Sequence, residues 1–224
     1  MEAMLGRIVQ KLVHLSAEML GTMYDLMERL AGSDGNTWLA GLKKFLRGEL
    51  VARWRIGDDG IIYSSVKSCS ISTSGSDWLK NLKRRRFTID GVAPEILRSK
   101  NFQASPDGTY EIAIFRGSLL AECERSSNKI RIRASHCHFF TPGTDLACLI
   151  RDNFSDEEIR AMGLKRIIVM HQPIYDSHGI PSLLALGCDG AGRWLSAYHQ
   201  TDRDDWGREE EGFAFVVFFN SEQY

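Results

Sequence analysis

Histidine, cysteine and carboxylate side chains, which can carry out acid–base or metal chemistry, lie close together at two places in this sequence. At the first place His136, Cys137 and His138 are consecutive, and imidazole nitrogens with a thiolate are ligands that zinc favours. We predict a helix here, in which residues two apart point about 200° away from each other. Two ligands would then not converge, and no second pair lies nearby. We therefore predict ordinary polar residues at a helix end and no metal site.

The second place holds His171, Asp176 and His178, which could form an acid–base cluster if the fold supplied a partner. His171 lies among apolar residues of a predicted strand, which favours a hydrogen-bonded histidine in the core. His178 follows Asp176 in a predicted turn, which favours an exposed side chain. An enzyme whose catalytic residues are dispersed in sequence stays open as an alternative, and the sequence leaves those residues unknown.

The sequence does not match the familiar ion-binding, phosphate-binding and catalytic motifs. The aspartates of residues 202–205 resemble the start of a calcium loop, but the fifth position would be Trp206 and the twelfth Phe213. The glycines between residues 187 and 192 precede a predicted strand rather than a helix, which is typical of a hairpin and not of a phosphate-binding turn. The sequence contains no G-x-S-x-G, H-E-x-x-H or P-loop motif, so we predict no cofactor.

A basic stretch could contact phosphates. The predicted helix 77–87 carries five cations within residues 80–86: Lys80, Lys83, Arg84, Arg85 and Arg86. Such a cluster can bind nucleic acid, whereas the alternative is a solvated helix face without a partner. The stretch has no interleaved aromatic residues.

An aromatic group is the other candidate for binding. Trp194, Tyr198 and Trp206 are close in sequence, and Trp194 shares one face of a predicted strand with Tyr198. We expect Trp194 to anchor the core, because the neighbouring predicted strand is apolar on both faces. If it is exposed instead, these three residues become the leading binding site.

The elements that position these residues form an α+β pattern. Residues 165–198 predict three antiparallel strands, joined by turns at 176–179 and 188–192. Those three strands are predicted at 166–174, 182–187 and 193–198, with further strands at 50–56, 61–66, 110–115 and 213–219. Helices are predicted at 77–87, 91–97 and 127–139. Two more are predicted from their start signals, one after Thr141-Pro142 and one after Ser155, which begins a capping box.

The N-terminal segment predicts a helical hairpin. Apolar residues recur at helical spacing from residue 3 to residue 30, and a second apolar helix follows Gly35. The pair would pack on itself and on the main domain, or associate with another chain through its exposed stripe. We predict three segments: a hairpin at 1–48, short strands with a Ser-rich linker at 49–75, and a main domain of helices packed on a mainly antiparallel sheet at 76–224.

Composition is that of an ordinary globular protein, with 224 residues, 43% hydrophobic residues and a net charge of −1. The five cysteines form no C-x-x-C pair, which indicates free thiols in a reducing compartment. No apolar run approaches the roughly 20 residues that span a bilayer, so we expect a cytoplasmic protein without a membrane partner.

The charges are unevenly distributed along the chain. Residues 75–140 hold 12 Lys and Arg against 7 Asp and Glu, whereas residues 141–224 hold 7 Lys and Arg against 14 Asp and Glu. This asymmetry indicates a polar partner surface or mutual attraction within one domain.

One long pattern in the sequence resembles a known group of proteins. The run DLACLIRDNFSDEEIRAMGLKRIIVMHQPIYDS, followed by GRWLSAY and GFAFVV, is similar to a group of bacterial proteins described only as hypothetical. With WLKNLKRRRF and KIRIRA, the likeness covers roughly residues 76–218, and it implies no activity, cofactor or partner. Gln172 and His178 stand where the group's pattern has acidic residues. If those carboxylates carry out chemistry in the group, this chain is expected to lack it.

The sequence therefore favours a non-catalytic binding or interaction protein, because none of its residue clusters is competent for a recognisable chemistry. Protein partners or self-association through the N-terminal helix are the expected contacts. The alternatives are nucleic-acid binding through residues 80–86 and an enzyme with a dispersed site.

Overall fold

The structure is a computed structural model that describes residues 16–46, 53–68, 74–189, 192–199 and 209–220. The chain divides into two compact units, Met1–Ala52 and Arg53–Tyr224. None of the helices in the described residues is long and apolar enough to cross a lipid bilayer.

In the described residues of the first unit the chain forms two helices, α1 (Ala17–Ala31) and α2 (Gly35–Leu46). The Ser16 hydroxyl accepts a hydrogen bond from the backbone N–H three residues on, at 3.3 Å, as an N-cap serine does. Gly35 permits the tight corner between the helices, because a Cβ there would lie 2.1 Å from the carbonyl oxygen of Leu30. The predicted helical hairpin is confirmed, and its predicted residues 3–15 lie outside the described residues.

The second unit is built on one sheet of nine described strands. These are β1 (Trp54–Ile56), β2 (Ile62–Ser68), β3 (Thr88–Ile89), β4 (Gly108–Arg116), β5 (Arg166–Val169), β6 (Ile174–Tyr175), β7 (Pro181–Asp189), β8 (Gly192–His199) and β9 (Glu211–Asn220). Their order is β1-β2-β4-β9-β5-β7-β8-β3, with β6 paired to β7. The β5–β9 and β3–β8 pairs are parallel and the other pairs are antiparallel. The predicted mainly antiparallel sheet is confirmed.

Five α-helices and two short 3₁₀ helices (Gly117–Leu119 and Glu122–Glu124) accompany the sheet within the described part of this unit. The α-helices are α3 (Gly75–Arg84), α4 (Ala93–Arg98), α5 (Ser127–His136), α6 (Leu146–Asn153) and α7 (Asp156–Ala161). The capping box predicted at Ser155 is confirmed: the Ser155 hydroxyl accepts from the Glu158 N–H at 3.2 Å, and the Glu158 carboxylate accepts from the Ser155 N–H at 2.8 Å. The helix predicted after Thr141-Pro142 begins later, at Leu146.

Both faces of the sheet are apolar, which explains why its central strands lack polar alternation. The larger core lies between one face and helices α3, α4, α6 and α7, and it contains Ile112, Leu184 and Leu195. A smaller apolar cluster on the other face contains Phe115 and Phe213 with residues of α5. The predicted α+β class is therefore confirmed.

The first two strands, β1 and β2, are joined to the rest of the sheet through β4. β2 pairs along its whole length with β4, and β1 pairs with β2. The compact units divide between Ala52 and Arg53, so β1 and β2 lie in the second unit and form one edge of its sheet. The partner strand β4 lies far along the chain, and strand signals in a sequence do not reveal such distant pairing.

The predicted strand 166–174 is interrupted in the structure. β5 ends at Val169 and β6 begins at Ile174. Between them, Arg131 of α5 donates to the carbonyl oxygens of Met170 and His171, each at 2.6 Å. These carbonyls are therefore bound by a helix side chain, and the Pro173 that follows has no N–H to donate to a neighbouring strand.

Candidate functional site

His171 is a neutral structural residue of the core. Its side chain is fully buried, its Nε2 accepts the Leu184 N–H at 2.9 Å, and its Nδ1 lies 2.6 Å from the Gln172 carbonyl oxygen. Because Nε2 accepts, the ring proton is on Nδ1 and is donated to that carbonyl. Burial lowers the pKa of His171 from 6.5 to about 4, with Arg131 acting in the same direction. Both ring nitrogens are occupied, which confirms the predicted core histidine.

Asp176 holds the turn that follows β6. Its Oδ1 accepts the backbone N–H groups of His178 and Ile180 at 2.8 and 2.9 Å, and Gly179 adopts a positive φ of 75°. The hydrogen bond from Ile180 is the largest cause that lowers the pKa of the Asp176 carboxyl. His178 is exposed, as predicted. The turn residues therefore have structural partners.

Ser182, His199 and Asp176 form a cluster that the sequence did not predict. The His199 Nδ1 lies 3.1 Å from the Ser182 Oγ and 3.5 Å from the Asp176 Oδ2. In a catalytic triad the serine and the carboxylate approach opposite ring nitrogens, whereas here both approach Nδ1, and Ser182 is fully buried. The cluster is therefore not arranged to activate a nucleophile. No local motif predicts the cluster, because Ser182 and His199 are 17 residues apart and meet only through the register of β7 and β8.

Trp194 and Tyr198 form an aromatic pair on β8, with ring centroids 6.5 Å apart. The Arg166 guanidinium lies 5.7 Å from the Trp194 ring centroid and 4.4 Å from that of Tyr198, and it forms an ion pair with Glu211 at 2.9 Å. Trp194 also covers Gly187, where a Cβ would lie 2.5 Å from the indole. Both aromatic residues are half-buried against the smaller apolar cluster. The structure brings Trp194 and Tyr198 together, and Trp206 lies outside the described residues.

Of the candidate basic residues, Arg84 is the last residue of α3, Arg85 is its C-cap and Arg86 follows, and all three are exposed. Arg84 donates to the Asn81 side chain at 3.2 Å, and Arg85 forms an ion pair with Asp152 of α6. Arg86 adopts a positive φ of 64°, which is uncommon for a residue other than glycine. These residues thus form the C-terminal end of α3, and their charged side chains are exposed.

His136, Cys137 and His138 lie where α5 ends, as predicted. His138 adopts a positive φ of 58°, so the backbone leaves the helix at this point. Within the described residues, no group of three or more His, Cys, Asp or Glu side chains could hold a metal ion. Cys137 is exposed and is a free thiol.

Arg151 explains part of the long sequence pattern. It is almost completely buried in α6, donates to the Asp156 carboxylate at 2.8 Å, and reaches the carbonyl oxygens of Phe154 at 2.9 Å and Gly187 at 3.2 Å. These bonds join α6 to α7 and to β7. Arg151 and Asp156, both in the run LIRDNFSDEE, therefore have a structural role.

The first unit displays an apolar surface. Its two helices carry eight large apolar residues with exposed fractions between 36% and 73%. We call these residues the hairpin surface: Met19, Leu20, Met23, Tyr24, Met27, Trp38, Leu39 and Leu46. Exposed apolar patches of this kind mark sites of association in proteins.

Three features thus stand out as candidate sites: the hairpin surface, the basic end of α3, and the aromatic pair of β8. Each is defined by side chains at the surface rather than by a catalytic arrangement. Comparison with known protein families, curated proteins and solved structures finds no match for this chain.

Proposed function

We propose that this chain is a non-catalytic interaction protein whose hairpin surface docks onto a protein partner. The observation that carries the proposal is the exposure of that surface: none of the apolar side chains described in α1 and α2 is buried. A short amphipathic helix gains most of its stability from burying its apolar face. The hairpin therefore gains stability when a partner covers it.

The chemistry-bearing groups of the second unit support the same proposal. His171 has both ring nitrogens hydrogen-bonded, and Asp176 holds a turn. The buried Ser182 hydroxyl and the Asp176 carboxylate both approach the same nitrogen of His199, Nδ1. These groups stabilise the fold. The free thiols of Cys123, Cys137 and Cys148 favour a reducing compartment, and we include a cytoplasmic location in the proposal.

Methionine oxidation tests the proposal, because Met19, Met23 and Met27 lie on the hairpin surface. Dilute peroxide should oxidise them more slowly in a cell extract that contains the partner than in very dilute purified protein, since a bound partner excludes the oxidant. Peptide mass spectrometry measures the rates, and the buried Met170 is the internal control. Equal rates under both conditions would refute docking.

Nucleic-acid binding is the second candidate, favoured by the exposure of all five cations of residues 80–86. Three of them already contact side chains of their own unit, since Lys80 lies 3.6 Å from Asp77, Arg84 bonds Asn81 and Arg85 bonds Asp152. This leaves fewer cations for phosphates, so we rank the candidate second.

Replacing Arg84, Arg85 and Arg86 with alanine tests this candidate. A nucleic-acid binder should lose affinity for a labelled oligonucleotide and show a flatter salt dependence, because fewer counterions are released. The double variant Lys100→Ala/Arg160→Ala removes exposed charges elsewhere and is the matched control. Unchanged affinity in the triple variant would eliminate nucleic acid as the partner of this stretch.

A further inference from the structure

We propose that the occupant of the hairpin surface is a second copy of this chain, so that two α1–α2 hairpins form a four-helix bundle. This inference rests on the proposed function, because it names the partner of the same surface. It is carried by the geometry of the hairpin, the area it exposes and the charges of its helices.

The hairpin alone buries too little of its apolar stripe. Leu26 and Leu30 of α1 and Leu42 of α2 are half-buried, and Arg29 lies 4.6 Å from the ring centroid of Trp38. Met27, which directly follows Leu26, remains 56% exposed. Two helices bury one seam, whereas stripes this broad are buried in bundles of four.

The exposed area fits a dimer. A large side chain covers roughly 200 Å², so the exposed fractions of the hairpin surface correspond to an apolar area on the order of 800 Å². A stable protein–protein interface buries about 800 Å² from each partner. One second hairpin is therefore sufficient to cover the surface.

The charges favour a second copy over a membrane surface. The sequence of α1 contains Glu18, Asp25 and Glu28 against Arg29, whereas α2 contains Lys43 and Lys44 with no acidic residue. A two-fold axis can place the acidic α1 of one copy beside the basic α2 of the other, and the same contact then occurs twice. Anionic lipid headgroups would repel the acidic helix.

Light scattering after size-exclusion chromatography tests the proposal on the full chain. We expect twice the 25.3 kDa mass of one chain at micromolar concentration, with dissociation on dilution. The double variant Tyr24→Asp/Met27→Asp should run as a monomer, because it places carboxylates in the bundle core. Tyr175→Asp, which changes a residue of the second unit that is 66% exposed, should remain a dimer. A wild-type monomer at all concentrations would overturn the proposal.

A charge exchange provides a second variant that does not depend on burying a carboxylate. Lys43→Glu should raise the dimer dissociation constant by about tenfold, because a modest exposed ion pair is lost at both symmetry-related contacts. Adding Asp25→Lys and Glu28→Lys should restore most of the affinity. Circular dichroism confirms that each variant is folded. Loss without restoration would refute the arrangement of α1 beside α2 of the second copy.

Methionine oxidation separates failure of this inference from failure of the proposed function. Protection of Met19, Met23 and Met27 that increases with the concentration of purified protein supports the dimer. Rapid oxidation in purified monomer with protection in cell extract would refute the dimer and retain a different protein partner. Protection in dilute monomer, or equal oxidation under every condition, would refute both.

Discussion

Single residues of the second unit show how an apparent chemical cluster can be structural. His171 was one of three residues that could have formed an acid–base cluster, and its environment holds it neutral. The strand pattern predicted its burial, because the apolar residues Ile167 to Met170 precede it in the same predicted strand. Its hydrogen bond to Leu184 was beyond prediction, since that bond depends on β7 lying next to β5.

His171 makes stability depend on pH. Burial lowers its pKa in the folded state from 6.5 to about 4, so the unfolded chain binds the proton more readily between these values. The contribution to stability is fully present above pH 6.5 and falls as the pH decreases toward 4, by about 3 kcal/mol. Urea unfolding at several pH values should show this slope, and His171→Gln should have a smaller one. The exposed His178→Gln is the control, and an unchanged slope in His171→Gln would contradict the assignment.

At the scale of elements, buried polar bonds hold helices to the sheet. Arg151 connects α6 with α7 and β7, and Arg131 connects α5 with the chain after β5. Both arginines lie in segments whose apolar residues recur at helical spacing, so the helices that carry them were predicted. Their buried positions were not, because arginine is mostly a surface residue.

Arg151→Ala should destabilise the protein by about 3 to 5 kcal/mol, because it removes one member of a buried ion pair together with its hydrogen bonds to two carbonyl oxygens. Chemical denaturation measures the loss. Arg160→Ala, at an exposed position of α7, should change stability by less than about 0.5 kcal/mol. Equal effects of the two substitutions would show that the buried pair is unimportant.

Trp194 tests the β7–β8 pair. It is half-buried rather than fully buried, so Trp194→Ala should cost about 2 kcal/mol, less than the ~3–5 kcal/mol of a core tryptophan. Thermal unfolding gives the value, and the exposed Tyr175→Ala is the control. An unchanged melting temperature combined with loss of a partner would instead make Trp194 and Tyr198 a binding site.

The sequence predicted those parts of the structure whose contacting residues or paired strands are close together in the chain. Helices with their own caps, such as α7 after Ser155, and adjacent strands such as β7 and β8 were predicted from local signals. The position of β9 between β4 and β5 and the two-residue β3 were not, because pairing between distant strands leaves no local pattern. For the same reason the Ser182–His199 contact was missed.

At the scale of the molecule, the second unit contains both apolar clusters of the sheet. A chain that begins at Arg53 should therefore remain folded and lose less than a few degrees in melting temperature relative to the full chain. Circular dichroism and light scattering would measure its fold and its mass, which we expect to be that of a monomer. An unfolded product would mean that the first unit is required for the main core.

The position of β9 has a consequence for biosynthesis. β9 follows every other described strand in the chain, yet it pairs with β4 on one side and β5 on the other. Until it emerges from the ribosome, the groups β1-β2-β4 and β5-β7-β8 each have an unpaired inner edge, which can join strands of other nascent chains. A chain arrested on the ribosome before residue 211 should therefore stay sensitive to protease, and it should depend on chaperones until synthesis resumes.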